Sequence, residues 1–157
     1  YIEQCNPPRH EDILNTGLKG RRRDMLPHFE GKTPQTPRLK PMRILVCDDE
    51  PLVRDSLKML LGALGHVVAV AQSASEALEK YDLRDFDLVV TDFLMPGMQG
   101  DEFARAIKAR DQSKPVIMVS GSLLDGPPAS VDVLLSKPFT LDEIQQAIAR
   151  VAVEEGL

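Results

Sequence analysis

From Met42 onward the sequence predicts an α/β fold: a doubly wound parallel sheet of five strands with helices packed on both faces. Three observations carry this expectation. Five short apolar runs are separated mostly by amphipathic stretches. The runs are near-continuous Val, Ile and Leu, as strands buried on both faces require. Polar, chemically capable residues follow the runs directly, where the crevice of an open α/β sheet lies.

The first run, Ile44-Leu45-Val46-Cys47, precedes a helix over Pro51 to Leu64. Pro51 suits the first helical turn, where a missing N–H has no helical partner to lose. Val67 to Ala71 is the second strand, and Ser73 can cap a helix running from Ala74 to Leu83. Leu88-Val89-Val90-Thr91 leads to a helix from about Gly100 to Arg110. Val116-Ile117-Met118-Val119 is the fourth strand; after a connection, Val131 to Leu135 is the fifth, followed by a helix from Thr140. Thr140-Leu141-Asp142-Glu143 has the spacing of a capping box, so Thr140 and Glu143 are read as caps and not as chemistry.

A chain of 157 residues with 43% hydrophobic content fits one core with residues left for a tail. Residues 1–41 hold six of the twelve prolines, the basic run Arg21-Arg22-Arg23 and no sustained apolar period, and are read as a disordered or linker-like extension. The basic run is read as part of a solvated linker. Met42 stands immediately before the first strand and is a candidate natural start, which makes 42–157 the folded domain. That domain carries eleven Lys and Arg against nineteen Asp and Glu, a balance that argues against a nucleic-acid-binding face. Two cysteines, Cys5 and Cys47, form neither a disulfide framework nor a zinc pattern and suit a reducing cytosol. No apolar run is long enough to span a bilayer and no signal peptide is visible, so a cytoplasmic protein without membrane contact is expected.

The residues behind the strands belong together. Asp48, Asp49 and Glu50 follow the first, Asp92 the third, Ser120 the fourth, and Lys137 with Pro138 the fifth. Three aspartates packed within a few ångströms repel one another unless a cation joins them, and a small set of hard oxygens favours Mg²⁺. Lys137 adds a positive charge and Ser120 a hydroxyl donor, so the crevice could hold a tetrahedral anion above Asp92. The chemistry this suits is phosphoryl transfer: an Asp92 oxygen attacks phosphorus while Mg²⁺ on Asp49, Asp92 and a backbone carbonyl neutralises developing charge. Singly, Asp48 or Asp49 could form a turn, Ser120 cap a helix and Lys137 sit as a surface charge. It is their joint placement that argues for a site.

These residues resemble a known family. Ile44-Leu45-Val46-Cys47-Asp48-Asp49-Glu50-Pro51, Asp92-Phe93-Leu94-Met95-Pro96-Gly97-Met98-Gln99-Gly100, Val119-Ser120-Gly121 and Lys137-Pro138-Phe139 are similar to the motifs of response-regulator receiver domains of two-component systems. The resemblance runs from Met42 to about Val153. It implies a flavodoxin-like (βα)5 fold and a signalling phosphoacceptor, not an enzyme acting on other substrates. Asp92 would take a phosphoryl group from a sensor histidine kinase or a histidine phosphotransfer protein. Asp48, Asp49, Asp92 and the carbonyl of Leu94 would hold Mg²⁺ or Mn²⁺. Ser120 would be the switch hydroxyl, and Lys137 would pair with the phosphoryl group, its peptide bond to Pro138 being cis. A downstream protein target and a homodimer are also within what the family implies.

Two departures stand out. The family's switch aromatic lies three residues before the lysine, where this chain has Leu134. Only sixteen residues separate Ser120 from Lys137, fewer than in the family's common form, and they include Gly126-Pro127-Pro128. The fourth helix is therefore expected to be short or missing, and with it the usual output or dimer surface changes. Leu94 and Ser122 match positions that govern water access to the acyl phosphate, and an apolar Leu94 predicts slow hydrolysis.

Three rivals remain. A flavodoxin-type cofactor binder would need a glycine- and hydroxyl-rich loop in place of Asp48-Asp49-Glu50. A Mg²⁺ phosphatase would need a second acid two residues after Asp92. A receiver-like interaction module acting without phosphorylation draws support from Leu134 and the short connection.

Overall fold

The computed structural model describes residues 40–122 and 124–155. The linker expected over 1–41, including its basic run, lies outside the described residues except for Lys40 and Pro41, both exposed. Nine elements follow in order: β1 (Arg43–Cys47), α1 (Pro51–Ala63), β2 (Val67–Ala71), α2 (Ala74–Leu83), β3 (Leu88–Asp92), α3 (Gly100–Arg110), β4 (Val116–Ser120), β5 (Val133–Ser136) and α4 (Leu141–Glu155). The strands form one parallel sheet in the order β2-β1-β3-β4-β5.

Burial explains why this alternation holds. Every residue of β3 and β4 is buried, as the apolar runs require. One face packs Ile44, Val46, Val90 and Val119 against Leu57 and Leu61 of α1 and Ile144 and Ile148 of α4. The other packs Leu45, Cys47, Val89 and Met118 against Ala77 of α2 and Phe103 and Ile107 of α3. Each fully buried Leu or Ile contributes roughly 1.5–3 kcal/mol of transfer free energy.

The expected caps form. Pro51 opens α1, the Ser73 hydroxyl accepts the Glu76 N–H at 3.3 Å, and Thr140 and Glu143 exchange the reciprocal bonds of a capping box. Helix α1 ends in a Schellman motif: the Gly65 N–H bonds to Gly62 O and the His66 N–H to Leu61 O, with Gly65 at φ +92°. That φ is one a side chain would strain.

Two points concern the β4–β5 region. Among the described residues of 121–132 no helix forms, so the helix expected to be short or missing is absent there. The fifth strand begins at Val133, not at Val131. Val131 is buried as its apolar character implies, but its N–H closes a turn onto Pro128 O. Asp132 then ties this turn down, accepting the Val116 N–H at 2.7 Å and pairing with Lys108 of α3 at 2.9 Å. Among the described residues no helix is long and apolar enough to cross a membrane.

Candidate functional site

Strand register aligns the chemistry. Cys47 pairs with Thr91, Asp92 with Val119 and Ser120 with Ser136. Asp48, Asp92, Ser120 and Lys137 therefore fall at the carboxyl ends of β1, β3, β4 and β5, all of them neighbouring strands.

Lys137 joins the two buried acids. Its Nζ donates to Asp92 Oδ1 at 2.6 Å and to Asp48 Oδ2 at 3.2 Å. Asp48 is 1% exposed and Asp92 6%, so water screens these charges weakly. Lys137 is presented by a cis peptide bond to Pro138 and by its own N–H, which bonds to Ser120 O at 2.7 Å. The cis bond agrees with the family resemblance.

Each acid is held locally. Asp48 Oδ1 accepts the Glu50 N–H at 2.8 Å, and its own N–H bonds to Ala71 O. Asp92 ends β3 beneath the start of α3, where the Gly100 N–H bonds to Phe93 O at 2.9 Å. A Cβ on Gly100 would stand 2.0 Å from Asp92 O, so only glycine lets α3 begin this close to the acid. The Glu102 carboxylate accepts the Gln99 N–H at that same helix start, a cap that the sequence reading did not identify.

Electrostatics follow from burial. Burial raises the Asp48 pKa, outweighing the Glu50 N–H and Lys137, which favour the charged form. Burial alone would depress Lys137, but the bonds to Asp92 and Asp48 outweigh it and raise its pKa. Buried Cys47, beneath Asp48, is pushed up to about 12 by burial and then by the Asp48 charge, so it stays a thiol. Its Sγ lies 3.5 Å from Met95 Sδ.

Not every predicted residue joins the cluster. The Ser120 hydroxyl donates to Ser122 O at 3.2 Å and accepts the Ser122 N–H at 3.0 Å, an arrangement that commits it to its own loop and not to Asp92. Asp49 is half-buried, and its carboxylate makes no hydrogen bond or ion pair among the described residues. Leu94 is 56% exposed, two residues after Asp92. The sequence reading missed Arg54, whose guanidinium bonds to Asp48 O at 2.8 Å. Its place on α1, one turn beyond the acidic residues, was the available signal.

Among the described residues no three His, Cys, Asp or Glu side chains gather closely enough to form a metal cage by themselves. The donor chemistry nonetheless fits Mg²⁺, which takes one or two carboxylates and fills its shell with carbonyls and water. Asp48, Asp49 and Asp92 with a single lysine also leave a formal excess of negative charge that a cation would offset.

Comparison with known proteins places the chain in a family. The model of the response regulator receiver domain matches residues 44–149. The chain is 34% identical over 118 residues to the chemotaxis protein CheY of Pseudomonas aeruginosa, covering 70% of this chain and 95% of that protein. It is 33% identical over 109 residues to the two-component response regulator PhoP of the same species, covering 66% of this chain and 48% of that protein. The chain thus spans about half the length of several relatives, PhoP among them. Among solved structures, the Thermotoga maritima response regulator TrrA in complex with Mg²⁺-BeF aligns with a TM-score of 0.65 and 32% identity, covering 69% of this chain and 97% of that one. The sheet order and the sequence similarity agree, and the chain belongs to the response-regulator receiver domain family of two-component systems.

Proposed function

We propose that this receiver accepts a phosphoryl group onto Asp92 from a phosphohistidine of a sensor histidine kinase or histidine phosphotransfer protein, and that the change in charge switches its conformation. The observation that carries this reading is Lys137 bridging the buried carboxylates of Asp92 and Asp48 at the open end of the sheet. Lys137 holds one oxygen of Asp92, which leaves the other to form the bond to phosphorus. As it forms, the bond from phosphorus to the donor's imidazole nitrogen breaks, and the imidazole leaves with the electron pair. Lys137 then offsets charge on the phosphoryl oxygens, and Ser120 turns from Ser122 to donate to one of them.

Asp48, Asp49, Asp92 and the Leu94 carbonyl would hold Mg²⁺ or Mn²⁺. When bound, the ion supplies positive charge to the phosphoryl oxygens. The similar response regulator TrrA was solved in complex with Mg²⁺-BeF, which supports this reading. Similarity to part of the Escherichia coli sensor protein EvgS, 30% over 115 residues, supports a histidine-kinase partner. In this reading residues 42–157 are the working unit, a cytoplasmic phosphoacceptor that catalyses only its own phosphorylation and dephosphorylation. Its output is a contact with another protein or a second copy, with no nucleic acid bound by the receiver itself.

The test is intact mass after incubation with acetyl phosphate and Mg²⁺, alongside Asp92→Asn and an EDTA control. One phosphoryl adduct that needs both Asp92 and metal is expected. An adduct absent from wild type under every condition would overturn the proposal and favour a receiver-like interaction module that acts without phosphorylation.

A further inference from the structure

We infer that Arg54 is a positioning residue for the metal pocket, holding by its guanidinium the turn from which Asp48 and Asp49 project. The inference rests on the metal reading above and adds a residue to it. Arg54 sits on the first turn of α1, its own N–H bonded to Glu50 O at 3.0 Å. Its Nη1 donates to Asp48 O at 2.8 Å and reaches Asp49 O at 3.5 Å, so one side chain touches both carbonyls of the acidic pair.

Asp48 has other supports: its N–H is bonded to Ala71 O and its carboxylate to the Glu50 N–H and Lys137. Asp49 has none of these. Because its carboxylate has no partner among the described residues, the direction in which it points depends on the backbone to which it is attached. Among the described residues, Arg54 is the side chain that grips that backbone. It is half-buried, which favours a fixed guanidinium over a solvated one.

Arg54 acts on a bound divalent cation in two ways of opposite sign. Its positive charge repels the cation, so removing it would tighten binding. Its grip aims Asp49, and losing an outer support of this kind typically weakens metal affinity by about 10- to 100-fold. The geometry assigns the larger effect to the grip. A lysine keeps the charge, but its ammonium ends one bond short of the arginine Nη1 that makes both contacts and is more strongly hydrated, so it should not replace arginine.

The test is Mg²⁺ titration by calorimetry at fixed ionic strength on wild type, Arg54→Lys and Arg54→Met, with metal-free thermal melting as a check on folding. Both variants are expected to bind Mg²⁺ about tenfold more weakly or worse, with enthalpy measured on the folded fraction. Arg54→Lys keeps the test decisive if the methionine variant melts early. Tighter binding by Arg54→Met, or wild-type affinity in Arg54→Lys, would overturn the inference and leave the metal reading intact. A wild-type chain that takes no Mg²⁺ would overturn both.

Discussion

The two halves of the sheet's open end are built differently. On the β1–β3 side, Asp48 and Asp92 are buried, bridged by Lys137 and backed by helices on both faces. On the β4–β5 side, no helix forms among the described residues of 121–132, Leu134 is half-buried, and the Ser120 hydroxyl is satisfied by the adjacent loop. The contrast separates two requirements. The proposed phosphoryl transfer to Asp92 would need atoms fixed to within a fraction of an ångström, which close packing supplies. The proposed conformational response would need a segment whose alternatives differ little in free energy, and the less buried β5, with no helix among the described residues of its connection, supplies one.

Truncation of matched residues tests the contrast most severely. Leu45 is fully buried between β1 and the α2–α3 layer, so Leu45→Ala should destabilise by about 4 kcal/mol. Leu134→Ala, on β5, should lose only about 1–2 kcal/mol, because the side chain already meets solvent. Urea unfolding of both variants measures the difference, and equal losses would mean that the two halves are covered alike.

Two glycines extend the comparison. Gly100→Ala forces a Cβ against Asp92 O and should cost about 3 kcal/mol while displacing the acid. At Gly121, just after Ser120, a Cβ meets nothing within 4 Å, so Gly121→Ala should shift stability by less than about 0.5–1 kcal/mol, toward greater stability if at all. The same unfolding measurement, with phosphoryl uptake from acetyl phosphate, separates them. Uptake should fail in the first variant and persist in the second.

Lys137→Met leaves two buried carboxylates without their shared cation. A loss of about 2 kcal/mol is expected, below the range for a fully buried pair because the lysine is 23% exposed. Mg²⁺ should restore part of it. A melting temperature that ignores Mg²⁺ in this variant would argue against a metal beside these acids.

The smallest effect concerns His66, at the far end of β1. Its Nδ1 accepts the Met42 N–H at 3.2 Å, and burial lowers its pKa, so the folded state holds it neutral. The unfolded chain takes up a proton below about pH 6.5, and the folded one only at lower pH. Stability contributed by neutral His66 is thus lost as pH falls through that window. Unfolding midpoints at pH 7, 6 and 5 should decline less steeply in His66→Gln.

Much of this was legible without coordinates. The apolar runs gave every strand, because burial on both faces admits few residue types. Ser73, Pro51 and the Thr140–Glu143 pair announced helix starts because capping is a local bond between neighbours. That Asp48, Asp49, Asp92, Ser120 and Lys137 lie at strand ends could be read from topology alone, since a doubly wound parallel sheet brings its strand ends to one edge; of these, Lys137 joins only Asp48 and Asp92.

Other features are decided by groups far apart in sequence. Val131 carries an apolar side chain and is buried, yet the turn onto Pro128 O delays the strand to Val133. The ammonium of Lys137 lies between Asp48 and Asp92 only because the sheet brings residues 89 and 45 positions away to one place. Arg54 is an ordinary charge on a helix until the fold sets two carbonyls within its reach. Composition, periodicity and motif determined which elements form and which residues share a crevice, because those depend on local preference and burial. Which hydroxyl is engaged, which cation bridges which acids and which strand edge stays thinly covered were decided by the tertiary structure, because hydrogen bonds and ion pairs depend on distances that sequence spacing does not set.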